Sequence, residues 1–107
     1  GLTVIYLNEN EERIIGKFIE VEDKYENNTL SLVWKNGDRV EAKYDSFIED
    51  ENDCELEDEN YEEFWSFIFK KIEIEGNPPI EVTEDGYFLI NYHNFPQEIL
   101  VDGKKIN

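Results

Sequence analysis

Eleven acidic residues and no basic one fill the nineteen positions from Asp45 to Glu63. Neighbouring carboxylates there lie within the ~8 Å screening length of physiological salt, so they repel one another in any compact arrangement. A buried charge without a partner is strongly disfavoured. The stretch must therefore lie at the surface, and the core must come from the segments on either side. Those flanks are ordinary by comparison, with nine acids and six bases over residues 1–44 and seven and four over residues 64–107. At 107 residues the chain reads as one domain, 1–107, carrying an acidic insertion at 45–63.

The flanks carry the grammar of short strands. Leu30-Ser-Leu-Val-Trp-Lys35 and Arg39-Val-Glu-Ala-Lys-Tyr44 enclose Asn36-Gly37, a pair that tolerates the positive φ angles of a tight hairpin. Val40, Ala42 and Tyr44 alternate with Arg39, Glu41 and Lys43, which gives one dry and one wet face. Thr3–Leu7 and Arg13–Val21 are rich in β-branched and aromatic residues and read as two further strands, with Gly16 marking a bulge or a close backbone approach. After the Gly76-Asn-Pro-Pro79 break, Ile80–Thr83 and Tyr87–Tyr92 flank Asp85-Gly86, and Glu98–Val101 precedes Asp102-Gly103.

The segment 60–75 supports two readings. Asn60 as N-cap, Glu63 three residues later, and apolar groups at 61, 64, 65, 68 and 72 fit a helix. The same residues are strong strand formers, and Ile72 and Ile74 alternate with charge. The sequence therefore predicts a mainly β fold, a small antiparallel barrel or sandwich of about seven short strands with one short helix near 59–66 that leads into a strand over about 67–75. The alternative is an α+β fold with a longer helix over 60–72. Aromatic residues make up 14% of the chain, and Trp34 and Trp65 are both expected in the core.

Composition narrows the function classes. A formal charge of −17 repels phosphate backbones and anionic membrane surfaces, so neither a nucleic acid nor a membrane is expected as a partner. No apolar run approaches the ~20 residues of a membrane span. One cysteine, Cys54, rules out an internal disulfide and fits the cytoplasm. Acidic neighbours disfavour its thiolate, and the only histidine, His93, lies in a turn beside Pro96, which leaves no nucleophile and base pair. The glycines are too scattered for a phosphate loop, and an EF-hand register starting at Asp50 places Cys54 and Glu55 where a ligand and a glycine are required. We expect no enzyme and no cofactor; a looser divalent-cation site stays open.

What remains is the acidic stretch itself. Phe47, Ile48, Leu56 and Tyr61 are interspersed among its carboxylates, and apolar anchors amid charge mark a docking surface more than a solubility tail. The expected function is a non-enzymatic binding module that engages a basic protein through Glu49, Asp50, Glu51, Asp53, Glu55, Glu57, Asp58 and Glu59. An immunity or inhibitor protein occupying a basic toxin is the role that fits most economically. The alternatives are a Ca²⁺-binding domain and an accessory subunit. Oligomeric state has no signature in the sequence.

Overall fold

The computed structural model describes residues 5–107. One α-helix, α1 (Glu12–Val21), runs into a short 3-10 turn over Glu22–Tyr25. The strands follow as β1 (Thr29–Val33), β2 (Arg39–Glu51), β3 (Glu63–Glu75), β4 (Tyr87–Ile90), β5 (Glu98–Val101) and β6 (Lys104–Lys105). They form one antiparallel sheet in the order β4-β3-β2-β1-β5-β6. The mainly β class is as the sequence predicts, with six strands among the described residues.

The helix lies elsewhere than expected. Residues 63–75, which cover half of the shorter helix reading (59–66) and most of the longer one (60–72), are strand β3, as expected from about 67 on, and residues 59–62 belong to the loop before it. Twelve residues of β2 face this segment from Arg39↔Glu75 to Glu51↔Glu63, and that ladder outweighs the local helix signals. Conversely, the whole of Arg13–Val21 is helical where a strand was expected. Ile15, Phe18 and Ile19 recur at helical spacing and are buried, so periodicity wins over the β propensity of isoleucine. Gly16 sits within this helix, where a Cβ would come 3.2 Å from the Tyr6 hydroxyl. Of the strand expected over Thr3–Leu7, residues 1–4 lie outside the described residues and 5–7 are irregular, as are 80–83.

The core forms where α1 meets one face of the sheet. Phe18 stands edge-on to Tyr44 and Phe67, with ring centroids 5.3 and 4.9 Å away. Leu30, Leu32, Val40, Phe69, Phe88, Ile90 and Ile99 complete the cluster. Trp34 is buried there and its Nε1 donates to the Asn94 carbonyl at 2.8 Å; Trp65 is only half-buried and donates to the Ile5 carbonyl at 3.0 Å. Between β1 and β2 the hairpin closes as predicted, with the Trp34 N–H donating to the Asp38 carbonyl and Gly37 at φ +93°. Gly76 (φ +78°) ends β3 where a Cβ would strike the Asp38 carboxylate.

Candidate protein-binding surface

The acidic stretch is built into the longest hairpin of the sheet. Asp45–Glu51 continue β2, residues 52–62 form the connecting loop, and Glu63 begins β3. Ladder partners share a face, so Glu49 and Trp65 lie on the side of Phe47 and Phe67, while Asp50 and Phe64 lie on the side of Ile48 and Ser66. The two strands thus carry the charges well past the helix-covered core.

Hydrogen bonds to side chains shape the loop. The Asn52 amide group donates to the Asn60 carbonyl at 2.7 Å, and its Oδ1 accepts the N–H groups of Cys54 and Glu62, both at 3.3 Å. Asp58 accepts the Asn60 N–H at 2.8 Å. Asn and Asp readily bind the backbone two residues on, and both do so here to fix the turns. The Tyr61 hydroxyl donates to Glu51 at 2.6 Å, and that bond, more than burial, pushes the Tyr61 phenol up to about 12.

Seven of the eight expected contact residues, Glu49, Glu51, Asp53, Glu55, Glu57, Asp58 and Glu59, are exposed at this end of the molecule. Asp50 differs, being half-buried and accepting the Ser66 hydroxyl at 2.8 Å. Among the described residues none of the eight joins an ion pair. The four apolar anchors divide two and two. Phe47 packs edge-on against Trp65 at 5.2 Å and Tyr61 is tied to Glu51, whereas Ile48 (43% exposed) and Leu56 (72% exposed) face water.

Glu62 marks the base of the loop and was not singled out by sequence. Its carboxylate accepts Asn8 Nδ2 at 3.0 Å and the Tyr92 hydroxyl at 2.6 Å, and it is paired with His93 Nε2. Burial by itself would raise this carboxyl, but the bonds from Tyr92, His93 and Asn8 outweigh it and hold the group below the ordinary range. Burial and the bond to Glu62 together push the Tyr92 phenol up to about 12. No spacing rule links positions 8, 62, 92 and 93, so this cluster is visible only once the chain is folded. Between Leu7–Asn10 and Glu59–Glu63 lies an acidic cleft of about 460 Å³. A larger groove of about 900 Å³, bordered by Ile80, Val82, Tyr87 and Leu89, touches none of the eight carboxylates.

The arrangement offers charge and an apolar anchor on a shaped loop. Among the described residues no three Asp, Glu, His or Cys side chains converge as a metal would require, so nothing in this geometry favours the Ca²⁺ alternative. No helix among the described residues is long and apolar enough to cross a membrane. Residues 14–107 match the family described as cognate immunity protein YxxD. No curated protein and no solved structure matches the chain.

Proposed function

This chain belongs to the YxxD family of cognate immunity proteins, and on that premise we propose that it disarms its toxin by laying the acidic end of the β2–β3 hairpin on a basic surface of that toxin. The observation that carries this reading is the set of exposed carboxylates, free of ion pairs among the described residues, on a loop whose turns Asn52 and Asp58 fix. Charges held in place before binding lose little freedom on docking, and a concentrated negative field speeds encounter with a basic partner. Leu56 and Ile48 supply apolar contact amid the charge. Inhibition is by occupancy, and the encounter takes place in the cytoplasm, the compartment that a single cysteine fits.

The test uses the cognate toxin of this chain. Replacing Glu49, Glu51, Glu55 and Glu57 by lysine is expected to weaken the complex about 100-fold or more and to flatten the dependence of Kd on salt. An unchanged Kd, with the variant folded by circular dichroism, would place the interface elsewhere.

A further inference from the structure

Lys43 and Lys70 stand directly opposite each other on β2 and β3. Like charges in that position repel, and relief should be easy to find in a chain with 27 acids and 10 bases. Yet both side chains are exposed, and neither joins an ion pair among the described residues. Glu41, two positions from Lys43 along the strand, is already engaged by Arg39 at 3.2 Å and by the Ser31 hydroxyl at 2.8 and 2.6 Å. Lys70 instead rests over the Tyr87 ring, 4.8 Å from its centroid.

The rows beyond the lysines give them a context. Ladder partners place Thr29, Lys43, Lys70 and Tyr87 in one row across β1 to β4. The next row is Ser46, Ile68 and Leu89, then Ile48 with Ser66, then Asp50 with Phe64. All of these lie on the sheet face turned away from Tyr44, Phe67 and Phe69, and therefore away from α1. Leu89 is 41% exposed and Ile48 43%. The exposed part of the face thus runs from paired positive charge to an apolar middle at Ile48, Ile68 and Leu89; beyond it Ser66 and Phe64 are buried, with Tyr92 and His93 packed against Phe64.

We infer that this outer face is a second part of the toxin interface, in which Lys43 and Lys70 receive a carboxylate of the toxin while Ile48, Ile68 and Leu89 cover an apolar patch beside it. The inference rests on the proposed immunity role and extends the contact from the hairpin end onto the sheet. Charge complementarity fixes the occupant. An acidic group is the partner that relieves the Lys43 and Lys70 repulsion, and the net charge of −17 disfavours a second copy of this chain on the same face. A contact of both polarities also selects among toxins that are all basic, because a surface lacking the matching acid leaves two lysines unpaired.

The test separates long-range attraction from direct contact by sign. Lys43→Glu with Lys70→Glu makes the protein more acidic, so a basic toxin that touches only the hairpin would bind as well or more tightly. Direct contact with toxin carboxylates predicts the reverse, a Kd at least 10-fold higher for the same cognate toxin. Lys43→Gln with Lys70→Gln, which removes charge without reversing it, should fall between that variant and the parent. Zero-length carboxyl-to-amine cross-linking of the parent complex should join Lys43 or Lys70 to a toxin Asp or Glu. Equal or tighter binding by the Glu variant, or cross-links that spare both lysines, would overturn the inference. The hairpin variant run in parallel keeps the two readings apart. If it alone loses binding, the sheet contact fails and the hairpin stands; if only the lysine variant loses binding, the reverse holds.

Discussion

Glu11 Oε2 accepts the backbone N–H of Trp65 at 3.1 Å, across 54 residues of sequence. Its Oε1 accepts the Leu7 N–H at 2.8 Å, and the side chain is fully buried. One carboxylate therefore ties the approach to α1 to the first part of β3, the strand that carries the end of the acidic stretch. Glu11→Ala would leave both N–H groups without their acceptor, at about 1–3 kcal/mol for each group that stays buried. Urea unfolding should show a lower midpoint with an unchanged slope. Glu11→Gln should rescue only part of the loss, since its amide nitrogen would oppose one N–H donor. A midpoint shift worth less than about 0.5 kcal/mol for Glu11→Ala would refute the clamp.

The cluster around Glu62 sets two pH windows. Glu62 has a folded carboxyl held below its ordinary value of 4.5, so its contribution is complete above that value and disappears as pH falls through the lower, folded one. Tyr92 is raised in the fold, so its contribution is complete below its ordinary value of 10 and is lost as pH climbs towards about 12. Tyr92→Phe should remove part of the alkaline loss and, by taking a donor from Glu62, move the acid loss to higher pH. Melting temperatures measured every half unit from pH 3 to 12 would show both changes, and a Tyr92→Phe profile that tracks the parent would contradict the assignment.

These clusters show where sequence reading stopped. The β1–β2 hairpin was legible because Asn36-Gly37 and the alternation from Arg39 to Tyr44 are local signals that agree. The Asp102-Gly103 turn was legible for the same reason, and it joins β5 to β6 with Asp102 at φ +51° and Gly103 at φ +80°. The strand from about residue 67 to 75 was legible because Ile72 and Ile74 alternate with charge, whereas residues 63–66 read as the end of a short helix, since a cap and apolar spacing favoured one while the deciding fact is a ladder with β2. The exposed carboxylates at 49, 51, 53, 55, 57, 58 and 59 were found by counting charge, whereas the inward turn of Asp50 depends on Ser66 across the ladder. Asn52 carried a hint, since Asn in a charged loop favours a turn, but its reach to Asn60 and Glu62 did not.

Self-repulsion in the loop should appear as a stability cost. Glu55, Glu57 and Glu59 are exposed, and none of their carboxylates joins a hydrogen bond or ion pair among the described residues. Replacing all three by glutamine is expected to raise the melting temperature at low salt and to shrink the gain that the parent shows on adding NaCl. The same triple variant should bind toxin more weakly, because the charges that strain the free protein attract the partner. A variant with an unchanged melting temperature and an unchanged salt response would mean that the loop charges already sit too far apart to interact.

Asn52→Ala tests whether loop shape matters apart from charge. The substitution leaves the formal charge at −17 but deletes the bonds to the Asn60 carbonyl and to the Cys54 and Glu62 N–H groups. Long-range steering depends on the charge distribution, so the association rate with toxin should hardly move. Dissociation should speed up about 10-fold, because the loop must then be ordered on binding and each charge meets its counterpart less well. Surface plasmon resonance at two salt concentrations resolves the rates. Equal dissociation rates for Asn52→Ala and parent would show that the carboxylates act as a diffuse field, with no need of the turn that Asn52 fixes.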